Sequence, residues 1–152
     1  MLESEPLIIN LFGQDSNLEF PKTLCEKISS NSGFNSVVLP VPKINQHDPK
    51  SSLTNQIIAT LDYYFSKRYD VIINPRSFFE YYFCYGKFEI NNSNILKELS
   101  ERFRNVNFIN HSDPRAELFS SLLDYHNLTY YLINKEHDLN PVFEFVHSFQ
   151  IQ

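Results

Sequence analysis

Pro6-Leu7-Ile8-Ile9-Asn10-Leu11-Phe12-Gly13 is an apolar run with a single asparagine inside it, closed by a glycine. A short run of this kind, bounded by a turn residue, reads as a strand buried on both faces, because a strand with one wet face would alternate polar and apolar side chains. Comparable runs recur down the chain. Residues 35–41 contain Ser36-Val37-Val38-Leu39, residues 69–74 contain Val71-Ile72-Ile73, and residues 105–110 and 128–133 complete a set of five. Pro40 and Pro42 confine the second run to an edge or an exit, and Pro75 stops the third, since proline cannot donate to a ladder.

Helical patterns fill the intervals. Pro21 at a first helical position opens a helix over 22–30 in which Leu24 and Ile28 share a face, with Gly33 placed to turn left-handed just beyond it. Ser52 caps a helix with Leu53, Ile57, Leu61 and Phe65 at steps of four, widened by Ile58 and Tyr64. Ser77-Phe78-Phe79-Glu80 has the form of a capping box and begins an aromatic helix through Tyr81, Tyr82, Phe83 and Tyr85 to Gly86. A further helix carries Leu96, Leu99 and Phe103 inward. Asp113-Pro114 opens one with Leu118, Leu122 and Leu123, and Asn140-Pro141 opens the last, with Val142, Val146 and Phe149 facing one way. Strands alternating with helices predict one three-layer α/β/α domain over residues 1–152, with a five-stranded, mainly parallel sheet.

Composition narrows the function classes. Only three glycines occur in 152 residues, and glycine is what lets a backbone approach a phosphate closely or turn through positive φ. Thirteen basic against 18 acidic residues give a net charge of -5, so a broad phosphate-neutralising surface is not supplied and nucleic-acid binding is not expected. Cys25 and Cys84 lack the spacing of a metal or redox pair and read as reduced core residues. The five histidines form no ligand pattern, so neither a metal nor a cofactor is expected. The acidic start Met1-Leu2-Glu3-Ser4-Glu5 is unlike a secretory signal, and no apolar run approaches the ~18 residues of a membrane span. The expectation is a cytoplasmic protein without membrane contact. Sixteen asparagines reflect the codon bias of AT-rich genomes, phages among them.

In an open parallel sheet, ligands bind beyond the carboxyl ends of the strands at the point where the strand order reverses. Two segments answer to that position. Gly13-Gln14-Asp15-Ser16-Asn17 follows strand one near a helix start, whose free N–H groups suit an anion. Asn74-Pro75-Arg76-Ser77 follows strand three, and the Arg76 guanidinium suits a phosphate or carboxylate. Plainer roles stand beside these: Asp15 and Ser16 are ordinary turn formers, and Arg76 can pair with a surface acid.

Leu7-Ile8-Ile9-Asn10-Leu11-Phe12-Gly13 resembles the first strand and opening glycine of phage and bacterial P-loop nucleoside and nucleotide kinases. Residues 69–77, ending Asn74-Pro75-Arg76-Ser77, are similar to that family's strand-three motif, and residues 105–109 and 122–132 to its last two strands. The resemblance covers most of the chain and implies a P-loop kinase-like topology. The departures fall on the catalytic parts. A phosphate-cradling loop needs G-x-x-x-x-G-K-[ST], its N–H groups wrapping the phosphates while Lys and Ser/Thr serve phosphate and magnesium. Gly13 has no second glycine behind it, and the nearest Lys22-Thr23 pair is displaced by three residues and preceded by Pro21. Pro75 stands where the family has an acid. His111-Ser112-Asp113 leaves no room for an arginine-bearing lid. The implied function is a non-catalytic interaction protein, phage or mobile-element encoded, that binds a protein partner or, weakly, a nucleotide-like ligand.

Phe79-Glu80-Tyr81-Tyr82-Phe83-Cys84-Tyr85-Gly86-Lys87 also resembles a shortened form of the catalytic-helix motif of nucleoside deoxyribosyltransferase-like proteins. That resemblance implies N-glycosidic chemistry with Glu80 as nucleophile; the plainer role of Glu80 is to complete the Ser77 cap. Phe78, Tyr81, Tyr82 and Tyr85 cover so much of their helix that some belong to an interface, with a protein partner or in a homo-oligomer.

Overall fold

The computed structural model describes residues 6–13, 19–40, 59–75, 104–133 and 140–151. Within them lie five strands: β1 (Leu7–Phe12), β2 (Ser36–Val38), β3 (Val71–Asn74), β4 (Asn105–Asn110) and β5 (Tyr130–Ile133). The helices are α1 (Glu19–Ser32), α2 (described over 59–66), α3 (Ala116–Tyr125) and α4 (Asn140–Ile151). All pairings are parallel, in the spatial order β2-β3-β1-β4-β5. The sheet is thus the middle of a three-layer α/β/α arrangement, with the opening apolar run at its centre.

Burial explains why that run carries no alternation. Every residue of β1 is buried, because both faces are covered. On one face Leu7, Ile9 and Leu11 join Val71, Ile73, Val106 and Phe108 beneath Phe20, Leu24 and Ile28 of α1 and Val142 and Val146 of α4. On the other face Ile8 and Phe12 join Ile72 and Ile109 beneath Leu61 of α2 and Ala116, Phe119 and Leu123 of α3. Crossover handedness sets this division. The chain leaves β1 toward β2 in one direction and runs from β2 to β3, and from β4 to β5, in the other. A right-handed connection that reverses direction must place its helix on the opposite face.

Several local details differ from the sequence reading. α1 begins at Glu19, so Pro21 is its third residue, still inside the first turn where a missing N–H costs no helical bond. β2 is only three residues long and β5 only four. In α3 Leu118 points outward, 46% exposed, and Phe119 takes the inward position in ring contact with Phe12, centroids 5.1 Å apart. Gly33 turns at φ +72° after α1 as expected. Two further helix ends turn left-handed without glycine, at Arg68 after α2 and Asn127 after α3. At Asn127 the closure is a Schellman motif: Asn127 N–H donates to Asp124 O at 3.0 Å and Leu128 N–H to Leu123 O at 2.8 Å.

Three strands carry a buried asparagine in register. Asn10 lies opposite both Asn74 and Asn107. Asn74 Nδ2 donates to Asn10 Oδ1 at 3.0 Å, Asn10 Nδ2 to Asn107 Oδ1 at 3.2 Å, and Asn107 Nδ2 to the Thr129 carbonyl at 3.1 Å. A buried amide is tolerated only when paired, and here each partner is supplied by the neighbouring strand or, for Asn107, by the turn that enters β5. A register slip of one residue would bury these amides among hydrocarbon on the opposite face.

Candidate functional site

The carboxyl end of β1 is where neighbouring strands part company. The chain leaves β1 for the α1 face and leaves β4 for the α3 face, and a divergence of this kind is where parallel sheets form their ligand crevice. Gly13 sits at its mouth with φ +79°. A Cβ there would lie 2.9 Å from Asp113 Cβ and 3.1 Å from Asn110 Cβ, so the β4 loop packs directly on the first residue after β1. Asn110 Nδ2 donates to the Gly13 carbonyl at 3.0 Å, and Asn110 Oδ1 accepts from Ser112 N–H at 3.0 Å. The amide therefore ties the loop after β4 to the residue that ends β1.

Asp113 is the ionisable group packed against that glycine. Its Oδ1 accepts from the Arg115 peptide N–H at 2.7 Å and from Arg115 Nε at 3.2 Å, and its Oδ2 from Arg115 Nη2 at 3.2 Å. The Asp113 side chain is 13% exposed and that of Arg115 41%. Burial pushes the Asp113 carboxyl upward, but the hydrogen bonds from Arg115 and its positive charge together outweigh burial and hold the group below its ordinary value. Arg115 also lies over the Phe119 ring, 5.2 Å from its centroid. Asp113 precedes α3 as a turn former bonded two residues on, while Arg115 occupies the N-cap without a side-chain cap bond. This corrects the cap position expected from Asp113-Pro114.

Chemically the arrangement is a neutralised ion pair beside a blocked glycine. A carboxylate held ionised and already engaged is a poor proton acceptor, and with Arg115 paired to it the couple offers no net positive charge to an incoming anion. Lys22 and Thr23, the nearest counterparts of a phosphate-binding pair, are exposed residues within α1 and not part of a loop.

No family model, curated protein or solved structure matches this chain. The assignment of the site therefore stands on its own geometry. Of the residues singled out in the sequence, Gly13 is placed at the crevice. Gln14, Asp15, Ser16, Asn17, Arg76 and Ser77 lie outside the described residues, as do Phe78, Glu80, Tyr81, Tyr82, Tyr85 and Cys84. Cys25 is a half-buried free thiol, its Sγ 3.4 Å from Ser36 Oγ. Among the described residues no helix is long and apolar enough to cross a membrane, and no group of three His, Cys, Asp or Glu gathers as a metal site would require.

Sequence reading missed Asn110 and Arg115 as parts of the crevice, and Asn10, Asn74 and Asn107 as a ladder. A signal for the ladder was present: Ile9-Asn10 and Ile73-Asn74 each place one amide inside a wholly apolar strand. Such a residue needs a partner of its own kind nearby. Which residue of β4 supplies it, Asn105, Asn107 or Asn110, is decided by register alone.

Proposed function

We propose that this chain is a non-catalytic binding protein on a framework resembling P-loop nucleoside and nucleotide kinases, acting through a protein partner or by weak hold on a nucleotide-like ligand. The observation that carries this reading is Asp113 packed on Gly13. In a kinase of that family the residues after strand one wrap a phosphate with N–H groups; here the first of them faces a carboxylate and is bridged by Asn110. A sheet with β1 at its centre and connections leaving to opposite faces is compatible with the kinase-like topology. Among the described residues, the ionised group packed on Gly13 is a carboxylate already paired with Arg115, which supports a site without the positive charge that phosphoryl transfer draws on.

The test is an assay of phosphoryl transfer from ATP–magnesium to a panel of nucleosides and nucleoside monophosphates, run beside the Lys22→Ala variant. The expected result is no turnover above background for either protein. Turnover that Lys22→Ala abolishes would overturn the reading. Capture on the purified chain from its native host, identified by mass spectrometry, then distinguishes a protein partner from a small ligand.

A further inference from the structure

At the opposite, amino end of the sheet lies a second feature, separate from the crevice at Gly13. β5 pairs with β4 only from Asn107↔Tyr130 onward, so the first residues of β4 face a wedge where the chain entering β5 curves away. The wedge is a cleft of about 380 Å³, within the range of roughly 300–1,000 Å³ found for small-molecule sites. One wall is residues 105–107 of β4, another is the turn 127–129, and the third is aromatic, Tyr131 with Phe145 of α4.

Three properties restrict what the cleft can take. Among the described residues, none that lines it is an acid or a base, although charged residues make up 20% of the chain; on these walls a charged ligand would find no counter-ion and would lose its hydration. The polar groups are the Asn105 and Asn127 amides, the Thr129 and Tyr131 hydroxyls and peptide edges, which supply donors and acceptors side by side, while the Asn107 amide is committed to Asn10 and Thr129. The aromatic wall is rigid: Tyr131 stacks on Phe108 with centroids 5.5 Å apart and lies 5.8 Å from Phe145, yet remains 44% exposed. The opposite wall is held as well, because Asn107 Nδ2 is bonded to the Thr129 carbonyl and Asn127 is locked in the turn that ends α3. A preformed cleft spends little of its binding energy on ordering itself.

The geometry points to a binding site for a flat, uncharged molecule with donors and acceptors on its rim, of the class of a heterocyclic base or its nucleoside. The rim bonds to the amide walls while the ring lies against Tyr131 and Phe145, base–aromatic contact being the sequence-tolerant part of such recognition. The site is at the other end of the sheet from Gly13 and Asp113, and it stands whether or not that end binds anything.

The experiment is a heteronuclear NMR titration of the full chain with adenosine, uridine, their 5′-monophosphates and indole. The expected result is a saturable shift with at least one nucleoside, confined to residues 105–107, 127–131 and 145. Its Kd should rise at least tenfold in Asn127→Gly or Tyr131→Ala, and the monophosphate should bind no more tightly. Asn127→Gly removes the amide while glycine keeps the left-handed backbone, so that variant decides the matter by itself if Tyr131→Ala disturbs the fold. Absence of saturable shifts, shifts centred on Gly13 and Asp113, unchanged affinity in these variants, tighter monophosphate binding, or indole matching the nucleosides would each overturn the proposal.

Discussion

Replacing Gly13 by alanine tests whether the β4 loop closes the mouth of β1. Gly33 is the internal control. Both glycines have positive φ, +79° and +72°, and forcing an L-residue into that region costs about 1–2 kcal/mol. Around Gly33 nothing lies within 4 Å of an added Cβ, so Gly33→Ala should lose only that backbone energy. Around Gly13 the new methyl group meets Asp113 Cβ at 2.9 Å and Asn110 Cβ at 3.1 Å. Those atoms are fixed to their backbones and cannot rotate away, so the loop must shift and carry with it the Asn110–Gly13 bond. Overpacking of this kind adds about 1–3 kcal/mol, for a total of about 2–5 kcal/mol at Gly13. Urea unfolding followed by circular dichroism measures both variants. Placing Gly13→Ala in an Asp113→Gly background should recover about 1 kcal/mol or more through the coupling between the two sites. Equal losses for Gly13→Ala and Gly33→Ala, with no coupling to Asp113, would refute the packing of Asp113 on Gly13 and remove the main support for a blocked phosphate site.

Two further outcomes follow from the same geometry. Asn10→Leu leaves Asn74 Nδ2 and Asn107 Oδ1 buried without their ladder partner, and at about 1–3 kcal/mol for each unsatisfied group the variant should lose roughly 2–6 kcal/mol in urea unfolding; a loss under ~0.5 kcal/mol would show the ladder to be unimportant. The Asp113 carboxyl is depressed by Arg115 in the folded protein, so its stabilisation is present above the ordinary carboxylate value and lost as pH falls through the lower, folded one. The stability gap between the parent chain and Arg115→Ala should therefore be constant near neutrality and shrink in acid below pH ~4. A gap that widens on acidification in unfolding curves would reverse the assignment.

The five strands were legible in the chain because each apolar run was bounded by Gly, Pro or Asn, and the burial of β1, β3 and β4 was legible because fully covered strands need continuous apolar runs; β2 and β5, at the sheet edges, are only partly buried. The left-handed turn at Gly33 was legible for the same local reason. Arg68 and Asn127, which make the same turn without glycine, were not, since a helix held by tertiary contacts tolerates a residue whose own preference is only moderate.

Glycine scarcity alone argued only that phosphate loops were unsupported. What packs on the end of β1 is a loop nearly a hundred residues away, bringing Asp113 and Asn110 onto Gly13. Local sequence carries propensity and periodicity, which act over a turn or a strand. Register, strand order and the face taken by each crossover are set by packing between distant segments. On these depend the pairing of Asn10 with Asn107 instead of Asn110, the Asp113–Gly13 contact, and the wedge left between β4 and β5.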